Sequence, residues 1–355
     1  MKAHSCVFVL LVGLSGLATV PARAACDPAG GAEFICGVTN AEDLVRVPDT
    51  QWVLVSGMSD TGQGHLYAID RKAKTPVSIY PGEGAKDQLD KKTYASCPGP
   101  LPQGTFGAHG IDVHAKSAGK FSLLAVNHGG RESIEVFDVD TMGKAPAVTW
   151  IGCVILPKGA SGNSVVALPG GGFVMTNFKD PDDKDAFGKM TAMQITGNVL
   201  EWTPKTGWKP LPNSEMSGAN GVVASSDGKT LYVAGWPGKN VTRWERSGDS
   251  WKKGESVTTG ILTDNLRWAA DGSLIAAGQD ASMPGVFQCQ PPCYVASAAV
   301  QIDPRTMKMT KRLVTYPGNA SFAGGTTILD VGNEYWIGTY RGDRIARVPM
   351  KQVSR

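Results

Sequence analysis

The 355-residue chain carries 35 Lys and Arg against 32 Asp and Glu, and two of the basic residues lie in an N-terminal segment that we expect to be removed. The remaining chain is nearly neutral and has no cluster of basic residues, which argues against nucleic acid as its main partner. Gly is abundant, with 44 residues, and long helical periodicity is nearly absent, so we expect many tight turns between short strands.

The first 25 residues have the pattern of an export signal. Lys2 precedes an apolar run over 7–20, and an A-x-A cleavage pattern follows at Ala22 to Ala24. The run is shorter than the roughly 20 residues that span a bilayer. We expect cleavage after residue 24 or 25 and a mature protein that is periplasmic or secreted, without a transmembrane anchor.

Six cysteines follow this segment, an even number that suggests disulfides in an oxidising compartment. They are Cys26, Cys36, Cys97, Cys153, Cys289 and Cys293. The residues alone leave many pairings open. Cys289 and Cys293 are close enough to form a small closed loop. A metal knuckle is the weaker alternative there, because no His or second Cys pair lies nearby.

Apolar hairpins recur along the chain and predict an all-β fold. In each hairpin an apolar strand and a turn are followed by a strand rich in β-branched and aromatic residues. The clearest copy is 221–235, with the turn signal Asp227-Gly228. The six copies begin near residues 43, 110, 164, 221, 265 and 326. Short strands between the copies, such as 134–138 and 240–245, fit the outer strands of the same units.

Six similar units predict a six-bladed β-propeller, with residues 26–355 as one domain. No Pro/Ser-rich or low-complexity linker divides the chain. A β-sandwich is the alternative all-β fold, but it would not explain six like hairpins. The charged segment 179–189 breaks the strand pattern and predicts an exposed loop or short helix. It is either a lid over one face or only a solvated loop.

Residues able to bind metal or move protons stand at the start of five hairpins. They are Glu42 and Asp43, His109, Asn163, Asn220, and Asp264 with Asn265. Because the first strand of a propeller blade lies against the central axis, we expect these side chains to converge on one mouth of the channel. A single Asn there could be a turn residue, but the coincidence across blades favours a site.

The oxygen atoms in this set predict a calcium site. Carboxylate and amide oxygens without thiolates suit Ca²⁺, whereas zinc would favour His or Cys. The predicted ligands are Glu42, Asn163, Asn220, Asp264 and Asn265.

His109 and His128 form a second constellation. His109 begins the second hairpin and His128 ends its partner strand, so antiparallel pairing would bring both to the same mouth. One His could take a proton from water while the other relays it. We therefore predict a catalytic pair. The alternative is that one or both only line the channel through hydrogen bonds.

These segments resemble the paraoxonase/arylesterase family of calcium-dependent lactonases, within the wider group of gluconolactonase-like and strictosidine-synthase-like six-bladed propellers. The matching segments are 36–43, 108–111, 124–128, 218–221 with 226–228, and 263–265. The resemblance implies a calcium-dependent hydrolase of lactones or esters. By the same resemblance, the five predicted ligands match the family's catalytic calcium ligands, and His109 and His128 match its His pair.

The chain departs from the family in three respects, one of which is an expected export signal in place of the family's membrane-anchoring N-terminus. Asp43 and the carbonyl of Ile111 match ligands of a second, structural calcium, but Ser164 replaces another carboxylate of that site. The family's disulfide joins a Cys like Cys36 to the C-terminus, where this chain has none. The resemblance therefore leaves Cys36 to pair elsewhere, with Cys26 as the candidate.

Three functions stay open at this point. The first is a calcium-dependent lactonase or arylesterase with a small-molecule substrate. The second is another enzyme of the wider group, such as a sugar lactonase or a condensing enzyme of the strictosidine-synthase type. The third is a non-catalytic propeller that binds a ligand in its channel. Substrate choice is expected to lie in the loops 80–106, 178–195 and 280–296.

Overall fold

The computed structural model describes residues 26–59, 63–290 and 292–350. Within these ranges the strands form six sheets that follow one another along the chain. The predicted export signal at 1–25 lies outside the described residues.

The N-terminal half of the chain supplies three of the sheets. Strand β1 covers Glu33–Cys36. The first sheet contains β2 (Ala41–Arg46), β3 (Trp52–Gly57), β4 (His65–Asp70) and β5 (Pro76–Tyr80). The second contains β6 (Lys86–Asp87), β7 (Ala108–Ser117), β8 (Lys120–Asn127), β9 (Ser133–Asp140) and β10 (Ala147–Ile155). The third contains β11 (Ser161–Ala167), β12 (Phe173–Lys179), β13 (Asn198–Thr203) and β14 (Gly207–Pro210).

The C-terminal half supplies the other three sheets. The fourth contains β15 (Ala219–Ala224), β16 (Thr230–Gly235), β17 (Asn240–Ser247) and β18 (Ser250–Thr258). The fifth contains β19 (Leu262–Trp268), β20 (Leu274–Asp280), β21 (Ala296–Asp303) and β22 (Lys308–Tyr316). The sixth contains β23 (Gly325–Val331), β24 (Glu334–Thr339) and β25 (Arg344–Pro349), together with β1.

The two described helices are short and lie in loops between strands. They are α1 (Ala186–Thr191) and α2 (Met283–Phe287). The first falls within the segment that breaks the strand pattern, where an exposed loop or short helix was expected. Neither described helix has the length and apolar character needed to cross a membrane.

The sheets are the blades of a six-bladed β-propeller, which confirms the predicted fold. Each blade contains four antiparallel strands, consecutive in the chain except for β1 in the sixth blade, and β6 adds a short parallel edge to the second blade. The first strands β2, β7, β11, β15, β19 and β23 each contact the next, and β23 contacts β2. This ring of inner strands surrounds the central axis, and all six predicted hairpins coincide with the first two strands of a blade.

The apolar core lies between neighbouring blades. One buried cluster joins the first and second blades through residues such as Leu54 and Phe137, and corresponding clusters join the other neighbours. Trp150, Trp244 and Trp336 are fully buried in these layers. Because both faces of most blades are covered, burying these side chains stabilises the angular position of each blade as well as its own sheet.

The N-terminal strand closes the ring. β1 pairs antiparallel with β25, with Glu33 opposite Arg347. The strands nearest the two ends of the described residues therefore belong to the same blade, and their pairing closes the ring.

Three disulfides are present in the described structure. Cys36 is bonded to Cys26, and Cys289 is bonded to Cys293, as predicted. The third bond joins Cys97 to Cys153 and so fixes the long loop before β7 to β10 of the same blade.

The ion pairs of Arg347 in the blade that closes the ring should make the stability of the fold sensitive to acid. The Arg347 guanidinium donates hydrogen bonds to Glu334 at 2.6 and 3.0 Å and lies 2.9 Å from Glu33. These hydrogen bonds lower the pKa of the Glu334 carboxyl from 4.5 to about 2. The ion pair therefore stabilises the fold at pH values above the pKa of Glu334 in the unfolded chain. This stabilisation is lost as the pH falls through the pKa of Glu334 in the folded protein.

Replacement of Arg347 by Gln should lower the free energy of unfolding at pH 7 by about 1–3 kcal/mol. The difference from the unmodified protein should shrink at pH 3, measured by urea denaturation. Arg312→Gln is the control, because its exposed ion pair with Asp280 should contribute about 0–1 kcal/mol. Equal losses for Arg347→Gln at both pH values would contradict this account.

Candidate functional site

The first strand of every blade contains a β-bulge at the same place. At this place the pairing register between the first and second strands of the blade shifts by one residue. The shifts fall between Ala41 and Asp43, Ala108 and Ile111, Gly162 and Val165, Ala219 and Val222, Thr263 and Leu266, and Gly325 and Ile328. A bulge leaves an extra residue outside the ladder and redirects its side chain. All five predicted metal ligands and His109 lie within these bulges, and the sixth blade carries Thr326 and Thr327 there.

Glycine allows two of these bulges to approach the next blade. A Cβ atom on Gly110 would lie 2.3 Å from the carbonyl oxygen of Asn163, and one on Gly221 would lie 2.5 Å from that of Asp264. A larger residue at either position would push apart the backbone segments that carry the candidate ligands. Steric contact with the next blade therefore explains why glycine follows His109 and Asn220 in the sequence.

The bulges bring the predicted residues together at one mouth of the channel. A cavity of about 370 Å³ is lined there by Glu42, His109, Asn163, Asn220 and Asp264. Asn265 lies beside it, and its amide donates a 2.7 Å hydrogen bond to Glu42 Oε1. Side chains that are far apart in the sequence thus share one site, as the repeat pattern predicted.

Short contacts connect neighbouring blades around this cavity. His109 Nε2 lies 3.8 Å from Glu42 Oε1 and 3.5 Å from Asn163 Nδ2. Asp264 Oδ2 accepts a 2.7 Å hydrogen bond from Gln279 Nε2, and Asn220 also hydrogen-bonds to this carboxylate. Gln279 was not singled out from the sequence, although its place at the end of a second strand puts it at the same mouth.

Four buried carboxylate and amide oxygen atoms in or beside the cavity lack a hydrogen-bond partner. They are Glu42 Oε2, Asn163 Oδ1, Asn220 Oδ1 and Asn265 Oδ1. A buried acceptor without a partner costs about 1–3 kcal/mol, and native structures avoid such atoms. Four of them on four blades at one cavity therefore fit a bound cation with a preference for oxygen ligands. The chemistry of the residues is consistent with the predicted metal.

Carboxyl groups at the site are held in a poor environment for negative charge. Burial raises the pKa of Glu42 well above 4.5, and the charges of Asp43 and Asp264 add to the effect. Burial also raises the pKa of Asp264 to about 7. Across the described ranges, no three His, Cys, Asp or Glu side chains gather as a metal cluster. Any cation at this mouth would therefore depend on the amide oxygens as well.

The two histidines meet at the edge of the cavity. His109 Nδ1 lies 2.8 Å from His128 Nε2. His128 Nδ1 in turn lies 2.9 and 3.0 Å from the two oxygens of Glu132. Burial, together with His128, lowers the pKa of His109 well below 6.5, so the His109 ring is uncharged at neutral pH. The sequence reading missed Glu132, although an acidic residue in the turn after His128 was visible there.

An arginine lies where the resemblance implied a second calcium. The Arg267 guanidinium forms an ion pair with Asp43 and donates a 3.1 Å hydrogen bond to the carbonyl of Ile111. It also donates to the carbonyls of Leu44 and Leu266, at 2.7 and 2.8 Å. The positive charge beside Asp43 is thus supplied by the chain. Asp43 and Ile111, as placed here, do not fit a second cation.

A second cavity of about 370 Å³ lies at another part of the channel and includes Asp112 and His114. Burial raises the pKa of Asp112 to about 6. Arg46 and Arg267 also line this cavity, and positively charged side chains oppose cation binding. We therefore place the candidate metal site at the mouth that carries the unpartnered oxygens.

An aromatic wall covers one side of the candidate site. The Phe187 ring on α1 contacts Phe287 on α2 with centroids 4.8 Å apart. Phe178 and Phe287 both lie against Trp236, at 5.9 and 5.8 Å. All four rings line the cavity. Two of the predicted substrate loops, 178–195 and 280–296, thus contribute to it, and the Cys289–Cys293 disulfide follows α2 directly.

Comparisons with known proteins identify the fold. A luciferin-regenerating enzyme matches with a TM-score of 0.54 and 13% identity over 88% of this chain and 92% of its own. A gluconolactonase from Xanthomonas campestris has a TM-score of 0.51 and 14% identity over 90% of both chains. The calcium-binding regucalcin from Agrobacterium tumefaciens has a TM-score of 0.51 and 12% identity over 90% of this chain and 93% of its own.

The chain has the propeller fold of these proteins. No protein-family model and no curated protein matches its sequence. At 12–14% identity the likeness concerns the fold, and a function has to be argued from the site itself.

The buried pair at the axis gives a prediction about stability. Arg267→Met would leave Asp43 buried without its cation and would remove the donor from three carbonyl groups. We expect the free energy of unfolding to fall by about 3–5 kcal/mol, measured by urea denaturation. Arg305→Met is the control because this side chain is exposed and should be nearly neutral. A loss below about 1 kcal/mol for Arg267→Met would show that the pair is not a structural element.

Proposed function

We propose that the protein is an exported, calcium-dependent hydrolase that acts on lactones or esters. The unpartnered oxygens of Glu42, Asn163, Asn220 and Asn265 beside His109 carry this proposal. Together with Asp264, these are the residues that would hold Ca²⁺. The bound ion would polarise the substrate carbonyl and stabilise the negative charge that develops on its oxygen.

His109 would act as the general base. Its Nε2 faces the cavity and would take a proton from the attacking water. The water oxygen then forms a bond to the carbonyl carbon, the carbon–oxygen bond of the ester breaks, and the proton is delivered to the leaving alkoxide. A lactone would give a hydroxy acid by this route. His128, bonded to Nδ1 of His109, would orient the ring during both proton transfers.

The fold comparisons agree with both parts of this proposal. The gluconolactonase is a lactonase by name, and the regucalcin is described as a calcium-binding protein. The site supplies the independent support, because the oxygens and the His pair are found in this chain.

The aromatic wall points to a substrate with an apolar group. Phe178, Phe187 and Phe287 offer the cavity hydrophobic surface and no hydrogen-bonding atoms, so a polyhydroxylated ring would lose hydrogen bonds to water there. We therefore expect lactones or esters with an alkyl or aryl substituent to react faster than sugar lactones. Equal or better turnover of gluconolactone would contradict this preference.

Export is supported by the disulfides. All three described bonds would be unstable in a reducing cytosol, whereas the periplasm and the extracellular space favour them. We therefore propose a periplasmic or secreted location.

Hydrolysis of a panel of lactones and aryl esters, with calcium and then with excess chelator, tests the proposal. We expect turnover that the chelator abolishes and calcium restores. Asn220→Ala should weaken the response to calcium at least about tenfold, because one ligand is lost. Asn333→Ala, in an exposed turn, is the matched control and should behave like the unmodified protein. Chelator-resistant turnover would exclude a calcium-dependent reaction.

Two other functions make different predictions in the same assay. A sugar lactonase or a strictosidine-synthase-like enzyme that relies chiefly on the metal would retain activity in His109→Gln, whereas our mechanism predicts a loss of about 10²–10⁴-fold. A non-catalytic binding propeller would bind calcium without turnover of any lactone or ester.

A further inference from the structure

A row of three side chains leads from the cavity towards the surface. It runs from His109 through His128 to Glu132, with contacts of 2.8 Å and 2.9–3.0 Å. The His109 and His128 side chains are 16% and 11% exposed, and Glu132 is 27% exposed. The Glu132 carboxylate is therefore the most exposed group of the row, and both histidine rings lie between it and the cavity.

The carboxylate dictates which ring nitrogens carry protons when both rings are neutral. A carboxylate only accepts hydrogen bonds, so the proton of His128 must lie on Nδ1. His128 Nε2 is then an acceptor, and the 2.8 Å contact requires His109 to donate from Nδ1. The lone pair of His109 is left on Nε2, the atom that lies beside Asn163 and Glu42.

The turn that carries Glu132 is held in place by a separate buried network. The Asn127 amide donates to the carbonyls of Gly129 and Arg131 at 2.9 and 2.7 Å. The Arg131 guanidinium is bonded to Glu135 at 2.9 and 3.0 Å. This arginine is thus engaged with a different carboxylate, and both oxygens of Glu132 accept from His128.

We propose that Glu132 is a positioning residue that fixes the tautomers of His128 and His109 and so presents the His109 Nε2 lone pair to the cavity. Its catalytic consequence rests on the proposed hydrolase function, whereas the tautomers themselves do not. Glu132 touches neither the cavity nor a substrate and acts through His128.

The tautomers can be measured directly by NMR of the ¹⁵N-histidine-labelled protein in the presence of calcium. His109→Gln and His128→Gln assign the signals, because the Nδ1–H and Nε2–H forms of a neutral ring differ in their nitrogen shifts. We expect both rings in the Nδ1–H form in the unmodified protein. Glu132→Leu should lose this preference in both rings. Glu132→Gln should keep it, since the amide oxygen can still accept from His128.

Activity provides the second readout. On the best ester or lactone, Glu132→Leu should lower kcat about 10²-fold with KM nearly unchanged, and Glu132→Gln should recover most of the loss. Glu245→Leu, at an exposed position, is the control for a loss of surface charge. Glu132→Ala repeats the test should the Leu variant fold poorly.

The two readouts separate this inference from the proposed function. An Nε2–H form of His109 in the unmodified protein, or unchanged tautomers in Glu132→Leu, would overturn the role of Glu132 whatever the activity. If no substrate is hydrolysed, the proposed function fails, and the nitrogen shifts still decide whether Glu132 sets the tautomers.

Discussion

The β-bulge in the first strand of each blade is the constraint on which the rest of the site depends. A regular strand would continue to alternate its side chains between the two neighbouring blades. One extra residue instead redirects Glu42, Asn163, Asn220 and their counterparts to the mouth of the channel. Because the bulge recurs in all six blades, a repeated structural unit produces a ring of functional positions, and each blade can carry a different side chain there.

The two adjacent carboxylates near the channel axis, Glu42 and Asp43, have different partners. The negative charge of Asp43 in the first blade is balanced by the guanidinium of Arg267 in the fifth blade. The same guanidinium donates hydrogen bonds to the carbonyls of Leu44 and Ile111, so it links the inner strands of three blades. Glu42, one residue earlier, accepts from Asn265 but keeps one oxygen without a partner. Adjacent acidic residues thus have different roles: one stabilises the ring, and the other remains available to a ligand.

The repeat pattern predicted the fold and the convergence of these polar residues on one mouth of the channel, because both depend on local signals. Turns such as Asp227-Gly228 mark the hairpins, and the polar residues stand at matching positions in them. The Arg267–Asp43 pair and the wall formed by Phe187 and Phe287 could not be predicted, since these contacts join distant segments. Their formation depends on how the blades and loops pack, which neither hydrophobic periodicity nor turn chemistry specifies.

A crystal structure of the protein grown with calcium tests the central claim most directly. The account predicts one ion at the mouth, about 2.3–2.6 Å from oxygens of Glu42, Asn163, Asn220, Asp264 and Asn265, and none beside Arg267. Water molecules in place of the ion at saturating calcium, or an ion bound elsewhere in the channel, would contradict it.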